Sequence, residues 1–200
     1  ITVANGTLAT MTSSDNITWT GTFTPTANTE AASNTLVMAT SYTDNAGNAG
    51  TAETTANYAV DTLAPTVTFS MPGCLAWRNT IPSGCTSVTT FSPLNGAVGA
   101  GRRSNITITF SEAVRNLDDS ALTDSNVDSL ITLKEDDASG TDIDFDATIN
   151  GGKTIITIDP TPRLESEGFV YLAIGATVED SAGNAITASS ATFKTCKSCD

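Results

Sequence analysis

Two hundred residues with a formal net charge of −13, 39% hydrophobic content and no histidine can bury a real core but carry few tools for acid–base catalysis. Lys and Arg number 9 against 22 Asp and Glu, so neither phosphate backbones nor anionic membranes find a basic patch to hold. Without histidine, Ser-His-Asp and Cys-His nucleophiles and His-based metal sites are excluded, and no stretch approaches the ~18 apolar residues that span a bilayer.

The chain opens without a basic-then-apolar signal, so Ile1 is expected to be a point inside a larger exported protein. Thr, Ser, Ala, Asn, Asp and Gly dominate and no long amphipathic period is present, so strands are expected almost throughout. Residues 1–3, 7–12, 17–23, 35–42 and 51–60 are the candidate strands of a first module. Asn5-Gly6, residues 13–16 and a tip at residues 44–48 separate them. Residues 61–65 (Asp-Thr-Leu-Ala-Pro) close this module over residues 1–65, because Pro65 fixes φ just before a new strand opens at Thr66.

The second module is assigned to residues 66–195. Residues 105–110 alternate strictly, and Ile143, Phe145, Ala147 and Ile149 alternate with Asp142, Asp144 and Asp146, the pattern of strands with one buried face. The acidic row reads as an outward face that guards a sheet against strangers. Strands at 153–158, 169–174 and 185–193 complete about seven short segments with no helix between them. That spacing predicts a two-sheet sandwich of immunoglobulin type, without the Cys…Trp…Cys core of antibody domains.

One six-residue turn is spelled twice, at residues 43–48 (TDNAGN) and 179–184 (EDSAGN). In each copy Gly supplies positive φ while Asp and Asn bond back to their own backbone. Pro25 and Pro160, which precede the two turns, and Asn48 and Asn184, which end them, are separated by 135 and 136 residues. The chain is therefore an internal duplication of an all-β module. Ile131-Thr132-Leu133 aligns with Ile1-Thr2-Val3, yet the second module has further strand segments upstream and the first has none. The expectation is that the first module lacks its N-terminal strands, which either lie upstream in the polypeptide or come from a neighbouring copy.

Residues 71–90 interrupt the first strand of the second module and hold Cys74, Trp77, Arg78 and Cys85. The loop reads as disulfide-closed, with a ligand-binding role for Trp77 and Arg78 as the sharper alternative. Cys196 and Cys199 lie in a tail at residues 196–200. Four cysteines in an acidic Thr-rich chain point to an oxidising compartment. Cys74 is expected to pair with Cys85, and Cys196 with Cys199 or with no fixed partner. A four-thiolate zinc site remains the alternative. Sequons at Asn5, Asn16 and Asn105 arise readily by chance in so Asn- and Thr-rich a chain. Asp118, Asp119, Glu135, Asp136, Asp137, Glu165 and Glu167 could in principle supply paired carboxylates, but they fall mainly in loops and read as solvated surface. The chain is read as not an enzyme.

Residues 110–114 (FSEAV), residues 19–25 (WTGTFTP), the two turns and residues 61–65 together resemble the tandem bacterial immunoglobulin-like repeats of large surface adhesins. The likeness covers most of the chain outside residues 71–90 and the tail. It implies an extracellular stalk or fibre segment whose partners are neighbouring modules or copies of itself, with junctions often stiffened by Ca²⁺. The cysteine-bearing insertion departs from that pattern and leaves open an accessory polymer- or glycan-binding module of an exported enzyme. In such a sandwich the last hairpin tip and the end of the second strand face the entering module, so Asp61, Glu112, Asp180 and Asn184 are expected to converge as oxygen ligands. The plainer alternative is that Asp180 and Asn184 only stabilise their own turn.

Overall fold

The computed structural model describes residues 1–71, 96, 98–161 and 163–197, and the chain divides into two compact units, Ile1–Leu63 and Ala64–Asp200. It is all-β, and among the described residues no helix is long and apolar enough to cross a bilayer.

The first unit contains β1 (Gly6–Leu8), β2 (Phe23–Pro25), β3 (Glu30–Asn34), β4 (Val37–Met38), β5 (Glu53–Thr54) and β6 (Tyr58–Asp61). Its antiparallel pairs are β1 with β2, β3 with β6 and β4 with β5. The β1–β2 ladder continues outward through the Thr12↔Thr20 bridge. Its tip is held by Asp15, whose carboxylate accepts from the backbone N–H groups of Ile17 and Thr18. Ile17 therefore lies in a turn rather than in the strand expected over residues 17–23. Asn34 is buried and bridges layers, accepting from the Asn5 side chain and donating to the carbonyls of Ala31 and Tyr58. Phe23 meets Tyr58 edge-on at 5.7 Å, but Val60 is the one buried apolar side chain among this unit's described residues.

The second unit contains β7 (Val67–Ser70), β8 (Val98–Ala100), β9 (Ile106–Phe110), β10 (Arg115–Asn116), a 3-10 turn (Val127–Leu130), β11 (Ile131–Glu135), β12 (Phe145–Ile149), β13 (Ile155–Pro160), β14 (Phe169–Ile174), β15 (Val178–Glu179) and β16 (Ser189–Thr195). Two four-stranded sheets, β12-β13-β9-β7 and β11-β14-β16-β8, form the sandwich. The predicted alternation is realised in β9, where Ile106, Ile108 and Phe110 point inward. They meet Ile156 and Ile158 of β13 and Leu172 and Phe193 of the facing sheet in one core. Burying each such side chain contributes roughly 1.5–3 kcal/mol.

Two details were not legible from alternation. The opening strand is split between sheets: β7 pairs antiparallel with β9, whereas β8 runs parallel to β16 on the other sheet. The acidic row is not on one strand, because β12 begins at Phe145. Asp142 instead bridges to Lys134 with an ion pair of 2.6 Å. The outer edge of β12 is closed by other acids, since Asp128 and Asp124 accept from the N–H groups of Ala147 and Ile149 at 2.9 Å each.

The duplication extends to register. Thr2↔Val37 in the first unit matches Thr132↔Ala173 in the second. Val37↔Thr54 likewise matches Ala173↔Ser190, and Leu8↔Phe23 matches Ala147↔Ile158. The counterparts of β7, β8 and β9 are absent from the first unit's described pairs.

Candidate functional site

The repeated turn has one geometry in both units. Asp44 Oδ1 accepts from the N–H groups of Ala46 and Asn48 at 2.9 Å each, and Oδ2 accepts from Asn48 Nδ2 at 2.8 Å. Asp180 does the same with Ala182 at 2.8 Å, the Asn184 N–H at 2.9 Å and Asn184 Nδ2 at 2.9 Å. Gly47 and Gly183 stand at φ of 89° and 88°, a region glycine enters without steric cost. Within each turn, Asn184 and Asn48 act first as donors that orient the aspartate.

Surroundings separate the two copies. Asp44 is exposed, whereas Asp180 is fully buried. Ahead of the second turn, β15 pairs with β10, and Arg115 of β10 makes ion pairs with Glu179 at 3.1 Å and Asp119 at 2.5 Å. Burial raises the cost of charging Asp180, but hydrogen bonds from Asn184, Ala182 and Gly183 outweigh it and hold its carboxyl below the usual range. Asp44 is lowered chiefly by its Asn48 contacts.

Glu112 follows β9 by two residues, and its carboxylate lies within 4.8 Å of that of Asp180. The pair stands where the chain enters the unit, because Thr66 exchanges hydrogen bonds with neighbouring Ser111: the Thr66 N–H donates to Ser111 Oγ and the Ser111 N–H to the Thr66 carbonyl. Two carboxylates at this distance repel by roughly 3 kcal/mol at an effective dielectric of 20, and a cation between them reverses that sign. An all-oxygen set of carboxylates suits Ca²⁺ or a similar hard cation, and Asp180 Oδ2, which accepts from Asn184 Nδ2, keeps a second lone pair, whereas Oδ1 spends both on the Ala182 and Asn184 N–H groups. Asp61 belongs to the first unit, where it ends β6 opposite Glu30 and accepts from the Leu63 N–H at 3.2 Å.

Cys196 is buried, with its N–H donating to the Ala100 carbonyl at 2.9 Å. Cys74, Cys85, Cys199, Trp77 and Arg78 lie outside the described residues. Among the loop acids, Asp118 and Asp137 accept from Ser120 and Ser139 through both hydroxyl and backbone N–H. These contacts, the serine hydroxyl foremost, hold both carboxyls below their ordinary range. A general acid needs the opposite shift.

A tandem of all-β units, each with the same Asp-Asn turn and the same strand register, defines the class as immunoglobulin-like repeats. Two family matches, each to a bacterial Ig-like domain, cover residues 1–60 and 84–195. The chain belongs to the bacterial Ig-like domain family. No curated protein and no solved structure matches it.

Proposed function

We propose that the chain is a non-catalytic segment of a bacterial extracellular surface protein, a stalk or fibre part in which repeated modules are strung in line. The observation that carries this reading is the recurrence of one module in tandem, with identical turn hydrogen bonds and matching register. A repeat array needs only that each unit fold and join the next.

In this reading a Ca²⁺ ion at the junction limits bending between units. Glu112 and Asp180 supply the preformed half of the site. Asp61 lies three residues before Ala64 in sequence, within roughly 10 Å of extended chain, and adds a third carboxylate. Asn184 holds Asp180 in place through its amide nitrogen and offers its oxygen. Calorimetric titration of the full chain tests the idea: wild type takes up at least one Ca²⁺, and both Asp61→Ala and Glu112→Ala lose it. Unchanged stoichiometry in Asp61→Ala removes the junction site. The accessory polymer-binding alternative rests on Trp77 and Arg78, and nothing in the described residues favours it.

A further inference from the structure

Three of the chain's nine Lys and Arg residues gather in the second unit, from two segments that are remote in sequence. Arg102 and Leu164, 62 residues apart, bond reciprocally. The Leu164 N–H donates to the Arg102 carbonyl at 3.1 Å, and Arg102 Nε donates to the Leu164 carbonyl at 2.7 Å. This double link holds Arg102 and Arg103 beside Arg163, the neighbour of Leu164. Arg163 is half-buried with its Nε and Nη2 covered by protein. Burial, and then the charges of Arg102 and Arg103, disfavour its charged form.

The other two guanidiniums are placed to meet a ligand. Arg103 is exposed and Arg102 half-buried. Among the described residues neither stands in an ion pair, whereas Arg115 and Lys134 both do. Arg102 spends one of its five N–H donors on Leu164. Like charges held together repel, and an anion shared among them offsets that repulsion.

Charge and size narrow the ligand. Arg163 also lines a cavity of about 90 Å³ together with Glu135, Leu164, Glu165 and Phe169. The two glutamates there repel an anion, so the ligand belongs on the side of Arg102 and Arg103. A long polyanion would extend over the rest of a chain whose net charge is −13 and be repelled wherever it lies within a Debye length, roughly 8 Å at physiological salt. A short anion avoids this. Planar guanidinium forks match the two oxygens of a carboxylate, and two forks side by side match two carboxylates.

We infer that Arg102 and Arg103, backed by Arg163, form a binding site for a short multivalent carboxylate ligand. Arg102 and Arg103 each hold a carboxylate through paired N–H donors, and Arg163 adds its charge from within the protein. A short run of acidic side chains on another polypeptide and a small free polycarboxylate share this chemistry.

The probes are citrate and a tetra-aspartate peptide, each titrated into the full chain in calcium-free buffer at constant ionic strength. The arginine Nε–H resonances are followed by NMR. Those of Arg102 and Arg103 are expected to move saturably, while that of Arg115, already held by Glu179 and Asp119, stays in place. Arg103→Ala, at an exposed position, should weaken binding by about tenfold or more. Arg103→Lys keeps the charge but not the fork and should recover only part of the loss. Whichever probe binds more tightly identifies the source, an acidic polypeptide segment or a free polycarboxylate. Four results would overturn the inference: no saturable movement with either probe, equal movement at Arg115, unchanged affinity in Arg103→Ala, or inorganic phosphate binding as tightly as both carboxylate probes.

Discussion

The two turns form a natural pair for separating what a hydrogen-bonded loop contributes from what its burial contributes. In Asp180→Ala, three donors lose their acceptor: the N–H groups of Ala182 and Asn184 and the Asn184 amide. Asp180 is fully buried, so water does not replace it freely, and each stranded donor costs about 1–3 kcal/mol before relaxation. Relief of the nearby Glu112 charge offsets part of that, leaving an expected net loss of about 3 kcal/mol in calcium-free buffer. Asp44→Ala removes the same three bonds at an exposed site, where solvent takes over, and its loss should be clearly smaller. Gly47→Ala and Gly183→Ala are the controls. Each glycine has positive φ and open space around an added Cβ, so both should cost about 1 kcal/mol through backbone strain alone. Urea unfolding with hydrogen exchange mass spectrometry reads the two units separately. Equal losses for Asp44→Ala and Asp180→Ala, or unequal losses for the two glycine variants, would refute the reasoning.

Asp15, held down to about 2 by the N–H groups of Thr18 and Ile17 and by the Ser13 hydroxyl, contributes stability that is complete above the unfolded carboxyl range. That contribution is lost as pH falls from roughly 4 toward 2; amide protection at residues 17–18, taken relative to the intrinsic exchange rate at each pH, should fall over that window in wild type and stay nearly flat in Asp15→Asn. Asp128→Ala uncaps the Ala147 N–H on the outer edge of β12 and should cost about 1 kcal/mol while raising the tendency to associate, read by denaturation and light scattering. Ile156→Ala, at a fully buried position, should cost about 2–5 kcal/mol in the second unit, and a loss below 1 kcal/mol would argue against the sandwich core.

Local chemistry wrote the turns into the sequence. An Asp that accepts from residues two and four ahead, with a Gly between, needs only its own six residues, so both copies were legible and share one geometry. The alternation of residues 106–110 and 143–149 was legible for a similar reason, since a half-buried strand must alternate. The duplication also set the register in advance, through the match of Thr2 with Thr132. Other features depended on partners remote in sequence. β8 has three residues and no alternation to announce it, and it exists because β16 offers a parallel edge. Asp142 left the predicted acidic row because Lys134 draws it to the neighbouring strand, while Asp124 and Asp128, unremarkable in sequence, cap the edge the row was expected to guard. Whether Asp44 and Asp180 are equivalent could not be read from two nearly identical turns. Burial of one and exposure of the other is set by the tertiary surroundings of each turn, and burial decides how strongly the same hydrogen bonds count.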